Sequence, residues 1–119
     1  MDQSVTFIGE FRVTNYDAWV PAIHRMVEFV SSHVPRVRSF AAYASADGRQ
    51  GVVVYIHPDA DSLDEHLAAA AELIEAGSEM VEVTSIRLLG APNPATVDRL
   101  RASGTDVTVL PLVGGFARA

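Results

Sequence analysis

The stretch that most constrains this chain is GVVVYIHPDADSLDEHL, residues 51–67. Val52-Val53-Val54-Tyr55-Ile56 is a β-branched and aromatic run, continuously apolar, as expected of a strand covered on both faces. Pro58-Asp59-Ala60-Asp61 reads as a turn. An alanine-rich helical pattern follows, in which Ser62 and Glu65 have the spacing of a capping box, so the helix is expected to start near Asp61 or Ser62. It should continue through Leu63, His66, Leu67, Ala70, Leu73 and Ile74 to a stop at Gly77. A strand that feeds a helix through so short a turn supplies two walls of whatever pocket the chain builds.

The rest of the chain fits around that unit. Val5, Phe7, Gly9, Phe11 and Val13 alternate with Thr6, Ile8, Glu10 and Arg12, which is the period of a strand with one apolar face. Gly9 in mid-strand marks either close packing or room for a ligand. Thr14, Asn15 and Asp17 supply helix-start chemistry. Trp19, Ile23, Met26, Val27, Val30 and Val34 then form an amphipathic stripe that Pro35 ends. Residues 37–45 read as a second strand, Asp47-Gly48 as a hairpin turn, and 80–89 as a fourth strand with Val81, Val83 and Ser85 opposite Glu82, Thr84, Ile86 and Leu88. The order strand, helix, strand, strand, helix, strand is the split βαβ arrangement of an α+β, ferredoxin-like βαββαβ domain with an antiparallel sheet. This domain is expected over residues 1–90. Residues 91–119 are expected to form a C-terminal extension: a short helix over 94–102 capped by Asn93, a short strand over 107–112 confined to an edge by Pro111, and an arm ending near Phe116. The extension should pack on the domain or on a partner. Apolar residues on both strand faces leave a sheet face to be covered, and a second copy of the chain is the economical cover.

Composition removes whole classes of function. A net charge of −6 argues against nucleic-acid binding, which needs a basic face. The absence of cysteine excludes disulfides, thiolate catalysis and iron–sulfur clusters. The sequence shows neither a signal-peptide pattern at its start nor a run of apolar residues long enough for a membrane span, so a cytoplasmic protein is expected. There is no GxGxxG, Walker or GxSxG motif, and the four histidines make no HxxxH, HxH or HExxH pattern. His57, His66 and Asp59 or Asp61 are the one set that a fold could assemble around a metal; none is expected to be held.

Several residues carry a family likeness. The first strand leads from Phe7 to Val13 and into Tyr16-Asp17-Ala18-Trp19; the second helix carries Asp64-Glu65-His66-Leu67; and Gly90-Ala91-Pro92 and Gly115-Phe116-Ala117-Arg118 mark the tail. In these features and in element order the chain resembles the dimeric α+β barrel superfamily, in particular small members of the branch related to antibiotic biosynthesis monooxygenases. The resemblance implies a homodimer whose two chains share a barrel, with a pocket in each chain between helices and sheet. Some relatives are oxidoreductases that act with O₂ on small aromatic or polyketide-type molecules and need no cofactor, which is the leading expectation here; others degrade haem, decompose chlorite or act on small lactones, and some have no known activity. Haem-degrading relatives use an Asn on the first strand and a Trp on a later strand. Here the first strand has no Asn and the single Trp is in the first helix, which speaks against that activity.

Within this frame His66 is the first candidate. An imidazole at the border of a buried face can remove a phenolic proton or hold the resulting anion. Tyr43 and Tyr55, read as sharing a sheet face, are the candidates to orient a substrate oxygen. Trp19, Phe7 and Phe11 are expected to wall a planar substrate, with Gly9 leaving space. Each has a structural alternative, as a boundary histidine or as core aromatics. The functional alternative is a non-catalytic dimeric small-molecule-binding or accessory protein.

Overall fold

A computed structural model of the chain describes residues 3–118. The elements are β1 (Val5–Val13), α1 (Tyr16–His33), β2 (Ser39–Ala44), β3 (Gln50–His57), α2 (Ala60–Ala69), α3 (Ala71–Gly77), β4 (Val81–Gly90), α4 (Pro94–Ala102) and β5 (Val107–Leu110). The expected α+β, ferredoxin-like order is present, extended by α4 and β5. One sheet runs in the order β2-β3-β1-β4-β5, antiparallel except for the parallel pair β4–β5 at one edge.

Register decides which residues face the helices. Phe7 lies opposite Tyr55 on one side and Leu88 on the other, and Gly9 lies opposite Val53 and Ile86. This face holds the core: Val5, Phe7, Val53, Tyr55, Ile86 and Leu88, joined by Leu63 of α2, Val97 of α4 and Val107 of β5. Cross-strand partners share a face, so Ile8, Val52, Val54 and Ile56 lie on the opposite side, where they are partly exposed.

Four local expectations are corrected. A bulge between Glu10 and Phe11 shifts the register against β4, so Phe11 lies opposite Val83 while Gly9 lies opposite Ile86. Val83 and Ile86 therefore line one face although strict alternation sets them on opposite ones. The second helix is broken at Ala70 into α2 and α3. Its N-cap is Asp59, whose carboxylate accepts from the Ser62 N–H at 2.8 Å, and Glu65 pairs with Arg36 instead of closing a capping box. Asn93 sits at the start of α4, but its side-chain amide donates to Asp61 and Asp64 across the domain instead of capping. The hairpin forms as read: Gly48 takes a φ of +72°, and the Asp47 carboxylate accepts from the Arg49 N–H. Residues 111–118 are exposed, Phe116 at 81%. Among the described residues no helix is long and apolar enough to cross a membrane.

Candidate functional site

The alternation of β1 and β3 puts an aromatic layer on the core face. Tyr55 stacks on Phe7 with ring centroids 4.4 Å apart and an interplanar angle of 7°, and on Phe40 of β2 at 5.5 Å. Such offset contacts add to the burial energy of the rings. His66, near the end of α2, lays its imidazole on Tyr55 with centroids 4.2 Å apart. Trp19, Ile23 and Met26 of α1, Leu73 and Ile74 of α3 and Val81 and Val83 of β4 line the same space. Together they enclose a cavity of about 190 Å³ with an almost wholly apolar wall.

His66 brings a polar group to that wall, and it does not stand alone. Its Nδ1 is 2.9 Å from Nε2 of His57, and His57 Nδ1 is 2.7 Å from the Ser62 hydroxyl. The turn that Asp59 caps makes this possible. His57 is the last inward residue of β3, in phase with Val53 and Tyr55, while Ser62 and His66 are one turn apart on the inward face of α2. His57 and Ser62 are fully buried and His66 is 1% exposed. Burial pulls both imidazoles down to about 4. At His57 the charge of Arg36 adds to this, and Asp59 and Glu65 oppose it; at His66 the neighbouring His57 adds to it. Both rings are therefore neutral near pH 7, each with one N–H donor and one acceptor nitrogen. Burial also pushes the Tyr55 hydroxyl well above its ordinary value, so it stays protonated.

Of the residues singled out from the sequence, His66, Tyr55, Trp19, Phe7 and Phe11 meet at this cavity. Tyr43 does not. It lies opposite Val52, on the other face from Tyr55, and is 60% exposed, so the expectation that the two tyrosines share a face is corrected. The reading of Gly9 as ligand space is also corrected. A Cβ there would come within 3.0 Å of the Phe7 and Phe11 rings, which fold across the glycine and take up its room. Ser62 was not among the candidates, and His57 entered only as part of a metal set. The legible signal was the in-phase placement of Val53, Tyr55 and His57, with Ser62 and His66 four apart. For a metal set of His57, His66 and Asp59 or Asp61 the geometry is unfavourable. The facing histidine nitrogens bond each other, Asp59 serves Ser62 and Arg36, and Asp61 accepts from Asn93. Among the described residues no three such groups cluster.

No family model matches the chain, and no curated protein matches it. Solved structures do. MupZ from Pseudomonas fluorescens is similar over 98% of this chain and 95% of its own, with a TM-score of 0.79 and 18% identity. SnoaB, a cofactor-independent oxygenase from Streptomyces nogalater, is similar over 76% of this chain and 95% of its own, with a TM-score of 0.65 and 19% identity. Rv0793 from Mycobacterium tuberculosis is similar over 77% of this chain and 98% of its own, with a TM-score of 0.56 and 20% identity. This chain has the fold of these neighbours.

Proposed function

We propose that this chain, built on the dimeric α+β barrel fold, takes a small aromatic or polyketide-type molecule into the Tyr55–His66 cavity and oxygenates it with O₂, without metal or flavin. The observation that carries the reading is a neutral imidazole in an otherwise apolar wall, its Nδ1 engaged by His57 and its Nε2 left to whatever enters. An apolar cleft with few, well-placed polar groups is the usual form of a small-molecule site. The likeness to a cofactor-independent oxygenase gives the chemistry its class.

The reaction balances without a cofactor. In an anthrone-type substrate, ionisation of the enol form makes the ring carbon electron-rich. That carbon donates an electron to O₂ and then forms a C–O bond to the reduced oxygen, giving a hydroperoxide. Loss of water breaks the O–O bond and leaves a carbonyl, so the CH₂ gains one oxygen and its two hydrogens leave with the other. His66 handles the substrate oxygen as base or anion holder. Trp19, Phe7 and Phe11 hold the ring plane, and the Tyr55 ring supports the imidazole. A second copy of the chain, seated on the Ile8, Val52, Val54 and Ile56 face, completes the barrel as a homodimer, and the 91–119 extension packs on the domain or on that partner. The apolar character of that face supports the dimer.

The test is oxygen uptake by metal-stripped protein over reduced quinols, anthrones and naphthols, with His66→Ala alongside. Uptake above background that falls at least about a hundredfold in the variant, within the range of a single acid–base group, supports the reading. A folded protein that binds members of the panel without uptake is the non-catalytic binding protein instead.

A further inference from the structure

Hydrogen-bond accounting along the three buried groups fixes where their protons lie. Ser62 Oγ has His57 Nδ1 as its partner at 2.7 Å, and no second partner for that hydroxyl exists among the described residues. If Oγ accepted from an Nδ1–H, its own proton would be buried with nothing to bond. An idle donor is the rarer and costlier omission in folded proteins; an idle lone pair is tolerated more readily. Ser62 therefore donates to His57 Nδ1. A neutral imidazole carries one N–H, so the proton of His57 is on Nε2 and is donated to His66 Nδ1 at 2.9 Å. The same count places the proton of His66 on Nε2, which has no partner among the described residues; that donor opens onto the cavity, where water or a ligand can accept from it, whereas a hydroxyl proton enclosed at Ser62 could reach neither.

We propose that the Ser62–His57–His66 chain locks His66 as an Nε2–H donor, and that the site takes its ligand as an oxyanion, the phenolate or enolate of a planar aromatic, in preference to the neutral phenol. This rests on the reading of the cavity as an aromatic-ligand site and narrows the role of His66 from base or anion holder to anion holder. His57 and Ser62 are positioning residues, acting through His66. The proton of the ligand is left in solvent before binding. The anion brings a charge into an apolar cleft, and the compensation is a charge-assisted N–H···O⁻ bond. The ligands that lose least on entry are those whose charge is spread over fused rings, and those already acidic enough to ionise in water near neutrality. Naphtholates and anthrone enolates meet the first condition, and electron-poor naphthols meet both. The ionised form is also the one that reacts with O₂, so binding and activation select the same species.

Two measurements test this. Long-range ¹H–¹⁵N correlation spectra of the ligand-free protein at neutral pH read the tautomers directly. Protonated Nε2 and unprotonated Nδ1 on both His57 and His66 are expected, with mixed tautomers at His57 in Ser62→Ala. An Nδ1–H on His66 overturns the proposal. The second measurement is a visible-absorbance titration with a nitronaphthol whose hydroxyl titrates near neutrality and whose anion alone is coloured. Binding should lower its midpoint by about one pH unit or more, the displacement one good charge-assisted bond gives. Ser62→Ala should reduce that displacement and His66→Phe, which keeps the stack on Tyr55, should abolish it. A bound dye with the neutral spectrum, or no bound dye at all, overturns the ligand half. Oxygen uptake is read separately. An anionic dye signal without uptake on the panel sinks the oxygenase reading alone, and uptake with a neutral bound dye sinks this proposal alone.

Discussion

Mild acid should destabilise this domain through its two buried imidazoles before its carboxylates are protonated. His57 and His66 are held down to about 4 by burial, from an ordinary 6.5. Between those values the unfolded chain binds protons that the folded chain refuses, so stability falls as pH falls; above about 6.5 both states are neutral there and stability is flat. At pH 5 the unfolded histidines lie about 1.5 pH units below their midpoint. At about 1.4 kcal/mol per unit this is roughly 2 kcal/mol for each, and as much as about 4 for the two if both stay neutral. That is a large part of a marginal folding free energy, which is commonly about 5–15 kcal/mol. Asp47 and Asp59 are held below the usual carboxylate range, mainly by the Ser45 hydroxyl and by the Ser62 N–H respectively, and their contribution is lost only at still lower pH. Urea unfolding followed by the fluorescence of Trp19, the single tryptophan, reads the effect, at one protein concentration so that any association stays constant. His66→Asn should be less stable than the parent at pH 7.5 yet lose only about half as much between pH 7.5 and 5. An unfolding midpoint that is unchanged over this range would refute the buried neutral pair, and so would a variant with the parent's full acid loss.

Two further predictions follow from packing. A Cβ on Gly51 would come within 2.9 Å of Trp19 Cη2 and 3.1 Å of Val13 Cγ2, so Gly51→Ala should cost about 1–3 kcal/mol and blue- or red-shift the Trp19 emission, read by the same urea curves. Val54 lies in the middle of the outer sheet face, opposite Ile8 and Ala41. If a second copy covers that face, Val54→Glu should convert a dimer to monomer in sedimentation velocity while the far-ultraviolet spectrum is retained; an unchanged sedimentation coefficient excludes this face as the interface.

Much of the fold was legible because each strand has a period of two and each helix an apolar stripe, and these signals survive without tertiary information. What was lost depends on relations between segments. The break at Ala70 is invisible because Leu67, Ala70, Leu73 and Ile74 keep helical spacing through it. The bulge that brings Val83 and Ile86 to one face is a property of the β1–β4 pair, not of either strand. Tyr43 shows how sharply register matters. Its face is set by Ala44 pairing with Gly51 across the hairpin, and a slip of one residue would have put it on the face of Tyr55.

The site follows the same logic. His66, Tyr55, Trp19, Phe7 and Phe11 could be picked by residue type and local pattern, because a pocket wall is made of the same apolar faces that make the core. The Ser62–His57 support was masked, since Ser62 and Glu65 have the spacing of a local capping box and that reading accounts for the serine completely. Asp59 takes over the cap, and this frees the Ser62 hydroxyl to face inward, onto the last inward residue of β3. The substitution of one cap for another thus turns a helix start into a hydrogen-bonded support for the imidazole at the cavity. It follows that Asp59→Ala should disturb the site as well as the helix. With the cap gone, Ser62 is drawn back toward its own backbone N–H groups, and His57 should lose the fixed tautomer that it keeps in the parent, visible in the same ¹⁵N spectra. Retention of a single His57 tautomer in a folded Asp59→Ala protein would show that the serine is held by the packing of α2 and not by its cap.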